Sequence, residues 1–411
     1  MARLSPPEFR PEPLMLQQLI DPFSLATFIS DYFEKQPLYV PRPFPQWCRE
    51  MPSIDDLDAI ISNTSTPHGL STEHLMRADA GGREVYPVER CSDGRPDMSA
   101  IYRAYGQGWT VCVHNLHRRC APVARLAGSV TSEIGHNVNV NLYCTPSGSR
   151  GFAAHADSHD VFVLQLEGRK SWRVFAPQYL LPLEPQITVV KRDELELAPP
   201  VLQATTEPGQ LLYLPRGYIH EAARTEGPSM HLTIGIYPLR WLDLLEAALR
   251  VAAERDVRFR RTAPSFEPGD ESEADNVGRE FVSLLQAVQG RDVAMEAMTR
   301  CLGARNRALR TSPDPHFNVI EHARSLSGQT EVARRLGWLT RVTRSDTRVR
   351  IEFGTRSLSA PLDVAPALEF ISAHVRFRVD DLPEAVSRQS KIVLVRRLIH
   401  EGLLKIAAHD S

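Results

Sequence analysis

The chain has 411 residues, 42% hydrophobic, 24% charged and 7% aromatic, with a formal net charge of -2. That length exceeds what one hydrophobic core usually supports, so two or three domains are expected, and the ordinary composition excludes fibrous and disordered classes. The balanced charge gives no basis for general nucleic-acid or membrane affinity. Six cysteines (Cys48, Cys91, Cys112, Cys120, Cys144 and Cys301) are widely spaced without a C-x-x-C pair, which reads as reduced thiols. The start, MARLSPPEFRPEPL, has no apolar signal core. No run reaches the roughly 18 apolar residues of a membrane span. A cytoplasmic location is the expectation.

In chain order, DPFSLATFISDYFEKQPLYV predicts a helix capped by Asp21 with Pro22 at its first position and Leu25, Phe28, Ile29 and Phe33 on one face. From about 50 to 130, Gly, Pro and charge are mixed and only short elements are expected. Between about 137 and 238 the period becomes that of strands: NVNVNLYC alternates strictly, and VFVLQL, SWRVF, GQLLYLP and MHLTIGIY follow after turns. Many short strands divided by Gly and Pro suggest an antiparallel sandwich or barrel. After Pro238, Leu242, Leu245, Leu249 and Ala252 form a helical face. Residues 263–276, APSFEPGDESEADN, read as an acidic linker or loop before a second helix, REFVSLLQAVQ. From about 316 the order is helix (TEVARRLG), strand (RVRIEFG), helix (VAPALEFISA), helix (KIVLVRRLIHEG) and strand (LLKIA), which suits a winged helix. That tail holds 15 Lys and Arg against 11 Asp and Glu, too small a surplus to indicate DNA binding. A folding or dimer-support role is the plainer expectation.

The chemistry concentrates in GFAAHADSHDVFVLQLEGRKSWRVF, residues 151–175. His155 and Asp157 are two apart, so on an extended chain both side chains leave one face and can converge on one ion. A lone H-x-D is weak evidence, since such residues are more often ordinary polar groups. The segment GQLLYLPRGYIH adds a third candidate: Gly209, five residues, Pro215, one residue, Gly217, two residues, His220. This spacing matches the second sequence motif of cupin barrels, where a Pro/Gly turn aims a histidine inward. Two His and one carboxylate form the facial triad of non-haem iron(II) sites, with coordination positions left open. Lys170, at the start of the next strand, is either a solvated turn lysine or a cation for a carboxylate.

NLYCTPSGSRGFAAHADSHDVFVLQLEGRKSWRVF and LYLPRGYIHEA, with the earlier DYFEKQPLYV, resemble the JmjC-type ribosomal oxygenases, iron(II)- and 2-oxoglutarate-dependent protein hydroxylases of the cupin superfamily. The resemblance covers about the first 240 residues. It implies an α+β chain: a double-stranded β-helix catalytic domain with an N-terminal helical elaboration at 1–238, a helical dimerisation segment at 239–315 and a winged-helix-like domain at 316–411. It implies that His155, Asp157 and His220 bind Fe(II) and are the catalytic centre, that Lys170 pairs with the distal carboxylate of 2-oxoglutarate, and that Asn141 and Thr233 contact this cosubstrate. Tyr143, on the Asn141 face, would contact substrate or cosubstrate. The implied substrate is an Arg or His side chain of a protein, a ribosomal protein first, entering as an extended peptide, and the implied assembly is a homodimer. Gly235 departs from histidine-hydroxylating relatives, which carry a serine there, so arginine remains open. The other readings are oxygenation of a small molecule, amino acid or biosynthetic peptide, and a non-enzymatic metal-binding regulator using the winged helix. His159 and Asp160 read as rim residues, His114 and His117 as structural, and His231 as near the site without binding metal.

Overall fold

A computed structural model describes residues 16–63, 73–79, 82–149, 153–187, 198–223, 226–263, 271–308, 316–335 and 340–407. The starting segment quoted above lies outside this range. The described residues group into two units, one drawn from Met1–Tyr237, Thr311–Gly337 and His374–Ser411, the other from Pro238–Arg310 and Trp338–Ala373.

The first unit contains strands β1 (Leu38–Val40), β2 (Glu73–Asp79), β3 (Gly82–Pro87), β4 (Thr110–Val113), β5 (Asn137–Thr145), β6 (Asp160–Glu167), β7 (Lys170–Phe175), β8 (Leu202–Thr206), β9 (Leu211–Leu214), β10 (Ile219–Ala222) and β11 (Ser229–Tyr237). They form an eight-stranded antiparallel sheet, ordered β1-β9-β6-β11-β5-β4-β2-β3, and a smaller sheet, β10-β7-β8. Val161, Val163, Leu212 and Leu214 of the large sheet pack against Trp172, Val174 and Ala222 of the small one, so the sheets face each other. This is the expected antiparallel barrel.

Strict alternation usually marks a strand with one wet face. Here both faces of β5 and β11 are covered. Val140, Leu142, Leu232 and Ile234 point outward into the main core, where they join Leu19, Phe28 and the Val123, Leu126 and Val130 side of a helix at Ala121–Ile134. The alternate positions, Asn139, Asn141, Tyr143, Thr233 and His231, face the barrel interior in paired register: Asn139↔Gly235, Asn141↔Thr233, Tyr143↔His231. The apolar half of the pattern thus anchors the sheet to helices, and the polar half lines the inside.

At several points the structure differs from what the sequence predicts. The helix near the start is capped by Ser24, whose Oγ accepts from the Thr27 backbone N at 3.0 Å; Asp21 and Pro22 precede it. Residues Phe28–Tyr32 widen into a π-helical turn, closed by Phe33 N donating to Phe28 O at 2.8 Å, which buries Phe28 and turns Ile29 outward. Helices Met98–Gly106 and Ala121–Ile134 occupy a region expected to hold only short elements. TEVARR is not helical: it contains β12 (Glu331–Arg334). Val332 there is wholly buried between two partner strands, a tertiary environment that overrides local helix propensity.

The remaining strands are β13 (Thr340–Arg344), β14 (Arg348–Phe353), β15 (Arg356–Pro361), β16 (Arg376–Arg378) and β17 (Leu404–Ile406). β12 pairs with β16 and β17, whereas β13-β14-β15 is a separate meander beside the helix Ala365–Ala373. In the second unit, helices Trp241–Arg255 and Arg291–Ala308 pack through Ala248, Val251, Val293 and Ala297. Of the expected helical face, Leu242, Leu245 and Leu249 are exposed, whereas Ala252 is buried with Ala248 and Val251. The acidic residues from Glu271 onward are also not linker but the first turns of a helix reaching Val288.

Candidate metal centre

Residue 155 extends the small sheet by one step. His155 N donates to His220 O at 3.1 Å and His220 N to His155 O at 2.8 Å, an antiparallel bridge beside β10. The His155 and His220 rings then lie 4.3 Å apart between centroids. Asp157 completes the group: its oxygens are 4.0 Å from His155 Nε2 and 3.7 Å from His220 Nε2. One ligand atom from each of the three lies within 4.8 Å of the others.

The turn before His220 depends on Gly217, which has φ of +90° and donates its N–H to Asp157 O at 3.0 Å. A Cβ there would meet Tyr179 O at 2.6 Å and Pro182 Cδ at 2.7 Å. Only glycine satisfies both conditions.

Each imidazole is oriented by its own strand. His155 Nδ1 donates to Ala153 O at 2.9 Å and His220 Nδ1 to Tyr218 O at 3.1 Å. A carbonyl can only accept, so Nδ1 carries the proton and Nε2 presents its lone pair. Two imidazole nitrogens and a carboxylate form the donor set of a divalent first-row metal, with the ring tautomers already fixed.

Further inside, Lys170 is 1% exposed, and burial lowers its ammonium pKa to about 8. Its Nζ donates to Thr145 Oγ1 at 2.9 Å, and among the described residues it has no carboxylate partner. An ammonium has three protons to place, so this cation has capacity for an anion. Trp172, which sequence reading missed, lies beside both His220 (6.3 Å) and His231 (5.6 Å, edge-on). Its indole Nε1 donates to Thr206 Oγ1 at 3.2 Å, and Thr206 in turn donates to Gln165 Oε1 at 3.0 Å. His231 stacks on Tyr143 at 5.3 Å, is held neutral by burial and by Lys170, and has a buried Nδ1 without a hydrogen-bond partner among the described residues. Such an orphaned polar atom beside an unmatched cation fits a polar, carboxylate-bearing guest.

The other expected residues divide. Asn141 Oδ1 accepts from Asn115 N at 3.0 Å, so part of this side chain fixes a loop. Thr233 lies opposite it on β11. Tyr143 is buried, stacked on His231 and packed against Met76 and Cys112. His117 Nδ1 accepts from Val140 N at 3.2 Å, a structural role. Asp160 is not at the rim: it is fully buried and paired with Arg216. His159 stacks on Tyr237 at 4.6 Å and 9°. Its ring fills the space over Gly235, where a Cβ would come within 2.7 Å of it.

A family model described as the JmjC domain matches residues 115–244, which include all three converging side chains. The chain carries a JmjC domain. Its curated relatives include ribosomal oxygenase 1 of Gallus gallus, 32% identical over 257 residues, covering 61% of this chain and 42% of that protein. Another is the bifunctional lysine-specific demethylase and histidyl-hydroxylase NO66 of Dictyostelium discoideum, 31% identical over 256 residues, 61% of this chain and 49% of the relative. The chain therefore spans less than half the length of each. Among solved structures, the Escherichia coli ribosomal oxygenase YcfD in complex with cobalt and 2-oxoglutarate superposes with a TM-score of 0.57 at 16% identity, covering 94% of this chain and 99% of that one. At that identity the likeness shows the fold alone.

Proposed function

We propose that the protein is an Fe(II)- and 2-oxoglutarate-dependent dioxygenase that hydroxylates an Arg or His side chain of a protein, with a ribosomal protein as substrate. The observation that carries this reading is the pairing of two features in one barrel: a His-Asp-His trio and a buried lysine with no carboxylate partner among the described residues. Ferrous iron with 2-oxoglutarate and dioxygen supplies the oxidising chemistry that places oxygen on a substrate carbon and yields succinate and carbon dioxide.

The chain's own residues bind and orient. His155 and His220 would hold the metal through Nε2 and Asp157 through its carboxylate, all on backbone fixed by the β10 bridge. Lys170, steadied by Thr145, would take the distal carboxylate of the cosubstrate as a point charge. Asn141 and Thr233 would add polar contacts across β5 and β11. The place of Tyr143 beside His231 supports contact with the cosubstrate in preference to the peptide. Val161, Leu214 and Val174 line the same interior with apolar surface and keep water from the site. Exposed Trp241, Leu245 and Leu249 support a homodimer through the helical segment. The pairing of β12 with β16 and β17 next to helix Arg388–His400 supports a winged helix interrupted by the β13-β14-β15 meander.

The test is incubation with Fe(II), 2-oxoglutarate and isolated ribosomal proteins, followed by intact-mass spectrometry and succinate measurement. A gain of one oxygen on a single ribosomal protein is expected. Succinate formation with no mass gain on any ribosomal protein would move the substrate to a small molecule or another peptide.

A further inference from the structure

The two segments that bring His155, Asp157 and His220 together are joined a second time, through charges that touch none of the three. Asp160 opens β6 three residues after Asp157 and is fully buried. Arg216 lies in the turn four residues before His220 and is also buried. One guanidinium nitrogen, Nη1, stands 2.8 Å from Asp160 Oδ2 and 2.6 Å from Glu34 Oε1. The Arg216 backbone N donates to Asp160 Oδ1 at 3.4 Å. Tyr213 Oη donates to the same oxygen at 2.9 Å and accepts from Glu34 N at 2.9 Å.

Burying this cluster is costly. Desolvation pushes the Asp160 carboxyl upward against the pull of Arg216 and Tyr213, and Glu34 holds φ of 62°, a left-handed backbone that side chains rarely adopt. A buried pair gives little net stability compared with apolar packing, yet fixes the relative placement of what it joins. What it joins here is the start of β6, the turn leading to His220 and the end of the N-terminal π-helical turn.

We propose that Arg216, clasped between Asp160 and Glu34, is a positioning residue for the metal centre. By tying the turn before His220 to the strand that follows Asp157, it sets the gap across which Asp157 must meet both imidazoles, and it makes metal affinity depend on Glu34, outside the barrel strands. The Gly217 N to Asp157 O hydrogen bond transmits the constraint, since Gly217 adjoins Arg216 in the chain. This inference rests on reading His155, Asp157 and His220 as metal ligands.

The experiment is titration of the full chain with Co(II) alone, followed by its visible absorption, for wild type, Arg216→Met, Glu34→Gln, His220→Ala and Arg169→Gln. Arg169→Gln breaks the exposed pair to Glu207 and controls for loss of any ion pair. Arg216→Met is expected to bind Co(II) about tenfold more weakly, with an altered spectrum. Glu34→Gln should shift affinity in the same direction by a smaller factor, and Arg169→Gln should match wild type. A folded Arg216→Met with wild-type affinity and spectrum overturns the proposal. Should Arg216→Met not fold, Glu34→Gln decides, and wild-type binding in it overturns the clasp. If wild type and His220→Ala bind Co(II) alike, the metal-site reading fails, and the clasp with it.

Discussion

His155 and His220 are 65 positions apart in the chain, yet their backbones exchange both hydrogen bonds of an antiparallel bridge, at 3.1 and 2.8 Å. The two imidazoles therefore hang from a shared ladder rung, each fixed by its neighbouring carbonyl. Removing one ring should leave the ladder intact and the metal lost. His220→Ala is expected to fold with an unchanged far-ultraviolet circular dichroism spectrum and to retain almost no iron after desalting. Iron content equal to wild type would contradict the trio as the binding site.

Lys170→Met should separate cosubstrate binding from metal binding. Losing a charge-assisted hydrogen bond of about 1.5 to 3 kcal/mol corresponds to a rise in the 2-oxoglutarate requirement of roughly tenfold to a hundredfold. Metal content should stay at the wild-type level, and the measurement is KM for 2-oxoglutarate beside bound iron.

The pKa of Lys170, lowered to about 8 by burial, gives a pH dependence of definite sign. Above that value the folded protein loses the ammonium charge, so 2-oxoglutarate affinity measured by calorimetry should weaken as pH rises through about 8, and the corresponding step should vanish in Lys170→Met. Stability of the ligand-free protein moves the other way. Between about 8 and the ordinary lysine value the unfolded chain binds the extra proton, so this group's contribution makes the fold more stable as pH rises.

Gly235→Ala tests the mouth of the barrel. The new Cβ would meet His159 Cδ2 at 2.7 Å and Tyr237 Cε2 at 3.3 Å, so the stacked His159 ring must leave. Overpacking of this kind costs about 1 to 3 kcal/mol. Adding His159→Ala should recover most of the lost melting temperature. A single Gly235→Ala as stable as wild type would show that His159 moves freely.

Trp241→Glu with Leu245→Glu should leave the isolated subunit folded, since Trp241 is 81% and Leu245 56% exposed. Light scattering on the eluted protein should then report half the wild-type mass. An unchanged mass would place any dimer contact elsewhere.

Much of the candidate site was legible because it is built from local patterns. H-x-D on an extended segment and P-x-G-x-x-H at a turn each encode which face their side chains take, and the period of two in NVNVNLYC put Asn139, Asn141 and Tyr143 on one side. Asp160 was misread as a rim residue because its partner Arg216 lies 56 positions away and no local period links them. Trp172 escaped notice because SWRVF reads as an ordinary core strand. TEVARR looked helical because its residues tolerate a helix, and only pairing with β16 and β17 made it a strand.

By itself, the sequence determined the strand period of the barrel, the donor types and the glycine-dependent turn, since each follows from backbone geometry over a few residues. Only the tertiary structure decided that the valines of β5 face helices while its asparagines line the interior, and that Lys170 is buried without a carboxylate partner among the described residues. It also decided that one arginine serves both Asp160 and Glu34. Those outcomes depend on which distant surfaces exclude water together, and desolvation, unlike periodicity, is a property of the assembled chain.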